Sequence, residues 1–206
     1  MRLFRPVGLH ELRLIYEAEM RAFPPRLPEQ PIFYPVLNEP YAIKIAREWN
    51  TKSNARVGFV TRFDVDDEYV RRFERKIVGS RDHEELWIPA EELATFNQHI
   101  RDAIQVTAAY FGDDYEGFVP AAFGLKGKTA REQFVALAKT LPYSSFDVVC
   151  ELAANHVAVF LNYFFWENLD VTKDGMAAEE RDRILERLKD MWAGSSRSAI
   201  PLGVVT

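Results

Sequence analysis

The sequence predicts an α+β protein, with an N-terminal α+β domain over residues 1–112 and a C-terminal helical domain over residues 113–206. Two observations support this division. Up to about Tyr110 the chain mixes short β-forming runs with helical patterns, whereas from Thr129 onward the patterns are helical. Between them, residues 111–117 are acidic and contain two glycines, which is typical of a boundary between domains.

Composition excludes several classes of protein. The chain has 206 residues, 48% of them hydrophobic and 28% charged, as in ordinary globular proteins. Its 26 basic and 31 acidic residues give a net charge of -5, which disfavours a general DNA-coating role. Cys150 is the single cysteine, so internal disulfides and cysteine-rich zinc sites are excluded. The first residues lack the apolar stretch of an export signal, and we expect a cytoplasmic protein without a membrane partner.

Period-two patterns in the first half predict strands over residues 3–7, 32–36, 57–65, 73–78, 84–88 and 104–109. Residues 79–82 read as a hairpin turn, and residues 9–16 have helical spacing. The four prolines at positions 24, 25, 28 and 31 predict an extended loop. Asn38 is a good N-cap, and Pro40 suits the first turn of the helix that carries Tyr41.

Three helices are predicted in the second half. Thr129, with Glu132 three residues later, predicts a capping box at the start of a helix through Leu141. A continuous buried helix is expected from Ser144 or Ser145 to about Glu167, with Cys150 as a small buried hydrophobe. The polar side chains of this helix argue against a membrane span. Three of them, Asp147, Glu151 and Asn155, lie on one predicted face, which is either a solvated stripe or the lining of a polar cleft. The third helix covers residues 176–192.

Residues 122–129, AFGLKGKT, match a relaxed phosphate-loop pattern with alanine in place of the first glycine. Such a loop needs a preceding strand and a later strand that ends in a metal-binding aspartate. The sequence shows neither, so the pattern favours a helix cap at Thr129 over a nucleotide hydrolase. The four histidines show no metal-ligand spacing, and no metal site is predicted.

The first half resembles the ADP-ribosyltransferase fold, and more closely the small bacterial proteins labelled "ADP-ribosylation/crystallin J1". The resemblance is carried by residues 4–12, 21–28, 31–38 and 85–91, and by the order of strand, strand, helix and late strand. It implies an ADP-ribosyltransferase-like split β-sheet domain followed by the helical domain. It also implies NAD as a substrate and a protein or nucleic-acid acceptor, as in a toxin or phage-defence component with an antitoxin or other protein partner.

The resemblance also implies roles for individual residues. Arg5, in the first strand, would bind the ribose and phosphates of NAD, and Phe33, Tyr34 and Tyr41 would hold the nicotinamide ring. Glu85, in the late strand, would stabilise the oxocarbenium-like transition state. These side chains are therefore expected to converge on one cleft that NAD can bridge.

Each role has an alternative in the residues themselves. Arg5 could pair with a carboxylate of the protein, and one of Phe33 and Tyr34 should pack in the core because neighbours in a strand face opposite ways. The same alternation puts Glu85 opposite Leu86 and Ile88. The sequence lacks the serine-threonine-serine strand of arginine-specific transferases and the first-strand histidine of poly(ADP-ribose) polymerases. A degenerate transferase-fold module that binds a nucleotide or protein partner is therefore the alternative function.

Overall fold

The computed structural model describes residues 1–80, 83–195 and 199–205. It is a mixed α/β structure that divides into two compact units. Unit 1 comprises Met1–Tyr115 together with the C-terminal residues from Val204, and unit 2 comprises Glu116–Gly203.

Unit 1 contains two three-stranded antiparallel sheets. Its strands are β1 (Arg2–Val7), β2 (Ile32–Phe33), β3 (Val57–Asp64), β4 (Glu74–Ile77), β5 (Glu84–Pro89) and β6 (Gln105–Phe111). One sheet has the order β1-β3-β6 and the other the order β2-β5-β4. Five of the six strands lie within two residues of the bounds predicted from alternation, and β2 ends three residues early at Phe33.

Val36 bridges the two sheets. It pairs with Phe4 of β1 on one side and with Glu85 of β5 on the other. The Val36 amide donates to the Phe4 carbonyl at 2.8 Å, and the Phe4 amide donates back at 2.9 Å. Because directly paired residues of antiparallel strands point to the same side, Phe4, Val36 and Glu85 share one side.

The helices of unit 1 are α1 (Leu9–Glu17), α2 (Glu39–Glu48), α3 (Asp67–Val70) and α4 (Leu93–Gln98). The predicted start of α2 is confirmed, since the Asn38 side chain accepts a hydrogen bond from the Tyr41 amide at 2.9 Å. Helix α2 packs on β1 and β3, and at Gly58 a Cβ would collide with the Ala46 carbonyl. The proline-rich loop before β2 is free of helix, as predicted. The predicted turn at 79–82 includes Arg81 and Asp82, which lie outside the described residues.

Unit 2 is helical, with α5 (Ala130–Thr140), α6 (Ser145–Ala154), α7 (His156–Trp166) and α8 (Ala178–Ala193). The prediction of one continuous buried helix was wrong: α6 and α7 meet at Asn155 with a bend of 106°. Helix α7 is buried on almost every side, whereas α6 buries only Val148 and Leu152, and Cys150 is exposed rather than buried. An apolar composition alone does not distinguish a straight helix from two bent segments.

In the described part of the chain, no single helix is long and apolar enough to cross a bilayer. Helices α6 and α7 reach that length and composition only together, across the bend.

Candidate functional site

The strongest candidate site surrounds the Glu85 carboxylate in β5. Glu85 is only 8% exposed, yet two neutral donors hold its two oxygens. The Tyr41 hydroxyl donates to Oε1 at 3.0 Å, and the Trp87 indole nitrogen donates to Oε2 at 3.1 Å. A buried carboxylate fixed at both oxygens is strongly oriented, and neutral donors leave its negative charge in place.

Local sequence explains how these groups meet. Asn38 starts α2, and Tyr41 in its first turn lies in a core cluster with Phe4 and Val36. The Val36 bridge aligns Glu85 with the same side of the sheet. Leu86 is fully buried on the opposite side of β5, so the predicted alternation is confirmed. The structure therefore brings Tyr41 and Glu85 together as expected.

The Glu85 cluster also includes His83, Trp87 and Lys76, whose roles were not predicted. The His83 ring stacks on Tyr41 with centroids 4.1 Å apart and planes at 9°. The Lys76 ammonium lies 3.7 Å above the centre of the Trp87 ring and 3.4 Å from a Glu74 carboxylate oxygen. His83 and Trp87 lie two residues before and two residues after Glu85. The alternation of side chains in a strand could therefore have predicted that both lie on the same side as Glu85. No sequence pattern predicts a role for Lys76, which is identified by its cross-strand pairing with Glu85 between β4 and β5.

Burial raises the pKa of the Tyr41 hydroxyl to about 12, and its hydrogen bond to Glu85 and the charge of that carboxylate add to the shift. Tyr41 therefore remains a proton donor at neutral pH. The Tyr41 hydroxyl therefore orients Glu85 and does not act as a general base.

Arg5 lies in a different cluster. Its Nε donates to Glu11 Oε1 at 2.7 Å, its Nη2 to Glu11 Oε2 at 3.4 Å, and its Nη1 to the Tyr34 carbonyl at 3.4 Å. The guanidinium also lies 4.5 Å from the centre of the Phe33 ring. Glu11 reaches it from the first turn of α1, which follows β1 directly. Arg5 thus has a carboxylate partner within the protein.

The expectation that Arg5 and Glu85 line one cleft is not met. Phe4, not Arg5, shares its side of β1 with Val36 and Glu85, and successive side chains of a strand point to opposite sides. The order of residues along the chain was correct, but the pairing register decides which of two neighbours faces Glu85.

The remaining two predicted residues behave differently from each other. Phe33 is fully buried, and its ring packs against Phe23 and Phe96, which makes it a core residue. Tyr34 is 44% exposed and offers its ring to solvent. Burial is the main cause of the raised pKa of Tyr41 and of the lowered pKa of Arg26, and the Tyr34 hydroxyl adds the smallest, upward contribution to each. Tyr34 therefore lies within electrostatic range of both residues.

In unit 2, the phosphate-loop pattern forms a helix cap, as predicted. Thr129 is the N-cap of α5, and Thr129 and Glu132 form a complete capping box. Hydrogen bonds to the Thr129 amide and hydroxyl lower the pKa of Glu132. Within α6, Glu151 accepts from the Gly124 amide at 2.7 Å and from the buried Asn155 side chain at 2.9 Å. Asp147 of the same predicted face is exposed, so this face is only partly a solvated stripe.

Within the described ranges, no group of three or more His, Cys, Asp or Glu side chains is arranged to hold a metal ion. Comparisons with family models, with curated proteins and with solved structures find no match to this chain.

Proposed function

We propose that unit 1 is an ADP-ribosyltransferase-like domain that cleaves the bond between nicotinamide and ribose in NAD, with Glu85 as the catalytic carboxylate. The observation that carries the proposal is the fixed Glu85 carboxylate, buried and held by the Tyr41 hydroxyl and the Trp87 indole. The two sheets joined through Val36 also support it, because a split sheet is what the resemblance implies.

In this reaction the C–N bond at the anomeric carbon breaks and nicotinamide leaves with the bonding electrons. The positive charge that develops on the ribose is stabilised by Glu85. A nucleophile on a protein or nucleic-acid acceptor, or water, then attacks the same carbon and loses its proton. Tyr41 and Trp87 position the carboxylate, and the exposed Tyr34 ring is the candidate surface for nicotinamide stacking.

The test is nicotinamide release from NAD by the purified full-length chain, measured by liquid chromatography. Glu85→Gln keeps the size of the side chain and can still bond both partners, with the amide oxygen accepting from Trp87 and the amide nitrogen donating to the Tyr41 oxygen. It removes the negative charge, so we expect turnover to fall about 100-fold or more. NAD binding should persist, because the carboxylate acts chiefly in the transition state.

Glu84→Gln is the matched control, because Glu84 precedes Glu85 on the other side of β5 and pairs with Arg75 at 3.7 Å near the surface. It should retain wild-type turnover. Absence of nicotinamide release by the wild-type chain, or equal effects of the two substitutions, would overturn the enzymatic proposal.

The second candidate is a non-catalytic module of the same fold that binds a nucleotide or a protein partner. The observation that favours it is the engagement of Arg5 by Glu11, away from Glu85. Nucleotide binding without nicotinamide release, unchanged in Glu85→Gln, would support this second function.

A further inference from the structure

Helix α6 of unit 2 carries apolar side chains on two opposite sides. Val148 and Leu152 are buried in the core of the unit. The side chains opposite them are exposed and apolar, and with the residue in the turn before the helix they form the α6 face: Tyr143, Phe146, Val149, Cys150, Ala153 and Ala154. At 100° per residue, the five helical members lie side by side on an arc of about 140°, with no polar residue among them.

Two aromatic rings dominate the α6 face. Tyr143 is 91% exposed and Phe146 is 75% exposed. Together they present about 300 Å² of surface to solvent, since an aromatic side chain offers about 150–250 Å². Single exposed apolar residues are ordinary, whereas a contiguous exposed apolar face points to an interaction surface.

The order of side-chain sizes along the α6 face fits a second copy of the same face. Its large residues, Tyr143 and Phe146, lie at the start of the helix, and its smallest, Ala153 and Ala154, lie at the end. When two such helices pack antiparallel, the start of each faces the end of the other. The aromatic rings of one copy then lie over the alanines of its partner, which gives both ends of the contact a large residue against a small one.

The charges beside the α6 face permit this arrangement. The helix contains two acidic residues, Asp147 and Glu151, and no basic residue. Glu151 accepts from the Gly124 amide and from the Asn155 side chain, so its carboxylate is engaged within its own unit. In an antiparallel pair centred on the middle of the face, the two Asp147 residues are offset by about 8 Å along the helix axis and lie on different helices. An anionic membrane fits less well, because helices that lie on such membranes carry Lys and Arg beside their apolar side.

We propose that the α6 face is the contact of a homodimer, in which the α6 helices of two copies pack antiparallel about a two-fold axis between Val149 and Cys150. Such a contact uses the same face twice and therefore closes after two copies. Its area lies at the low end for specific interfaces, so the dimer should dissociate at about 1–100 µM. Dimer formation does not depend on NAD cleavage and is measured without turnover, so failure of one proposal leaves the other standing.

The first test is sedimentation velocity of the full chain from about 1 to about 500 µM, over which the dimer fraction should rise. Phe146→Ser removes a central ring and should raise the dissociation constant about 10-fold or more. Phe123→Ser is the matched control: Phe123 is 71% exposed, but its neighbour Gly124 bonds Glu151, on the acidic side of α6. This control should associate like the wild type. A wild-type monomer over the whole range, or equal effects of the two substitutions, would overturn the proposal.

The second test uses Cys150, the single cysteine of the chain, as a reporter of the register. Across the proposed axis the two Cys150 residues are offset by about 2 Å along the helices, and helix axes about 8–10 Å apart allow a disulfide. Mild oxidation with copper phenanthroline should therefore give a covalent dimer on a non-reducing gel. In the double variant Cys150→Ser with Ala153→Cys, the two cysteines are offset by about 10 Å and should not crosslink. No crosslink through Cys150, or equally fast crosslinking at position 153, as expected for parallel helices or random collisions, would contradict the antiparallel dimer.

Discussion

Two clusters of unit 1, one around Glu85 and one around Glu11, lie on opposite sides of β1 and hold buried charges in different ways. The Glu85 carboxylate is held by two neutral donors, so its charge is oriented but not cancelled. On the other side, two guanidiniums compete for the single Glu11 carboxylate. Among the described residues, the Glu85 carboxylate forms no ion pair, whereas around Glu11 the two guanidiniums of Arg5 and Arg26 share one carboxylate. A buried charge without an equal partner points to a ligand more strongly than a closed ion pair does.

The largest expected effect tests the imbalance around Glu11. Glu11→Gln should lower the free energy of unfolding by about 3 kcal/mol, because it leaves two buried guanidiniums facing each other. Arg26→Gln removes the surplus charge and should stay within about 1 kcal/mol of the wild type, in either direction. Urea unfolding of both variants measures the contrast. Equal losses would show that Arg26 and Glu11 form a balanced pair.

A smaller effect tests the neutral donors around Glu85. The pKa of Tyr41 is raised to about 12, so its protonated form is favoured by the fold. The associated stability is complete below the unfolded pKa of about 10 and is lost as the pH rises through 12. Allowing for solvent screening, this loss should amount to about 1 kcal/mol. This loss of unfolding free energy between the two pH values should disappear in Tyr41→Phe.

Urea unfolding at about pH 9 and about pH 11.5 gives the measurement. Tyr69, which also has a raised pKa, provides the control: Tyr69→Phe should leave the Tyr41 contribution intact. A pH dependence unchanged by Tyr41→Phe would contradict the assigned hydrogen bond.

The last prediction concerns another positively charged segment, Lys126 and Lys128 before α5. Thr129→Ala should cost about 1 kcal/mol of unfolding free energy, because it removes the capping box. Lys128→Ala, the neighbouring control, should leave the free energy of unfolding nearly unchanged, and the melting temperature should be the same with and without Mg-ATP. Thermal melts decide the point. An ATP-dependent rise that vanishes in Lys128→Ala would instead indicate a nucleotide site at this loop.

The sequence determined most local structure because its signals act over a few residues. Alternation located the strands and separated Glu85 from Leu86, Asn38 started α2, and Thr129 with Glu132 formed the predicted cap. The prediction of one continuous helix through Asn155 was wrong, because hydrophobicity indicates burial but not the direction of the chain.

The tertiary structure decided which predicted residues meet. Tyr41 bonds Glu85, which lies 44 residues later in the chain, and the pairing of Val36 with Phe4 and Glu85 sets the register that brings them together. The same register turns Phe4 toward Glu85 and sends Arg5 to Glu11 and Arg26. A shift of one residue would exchange the two sides of the strand, and no local pattern records that choice. Residue types and periods are properties of the sequence, whereas the balance of buried charge arises only when distant segments pack together.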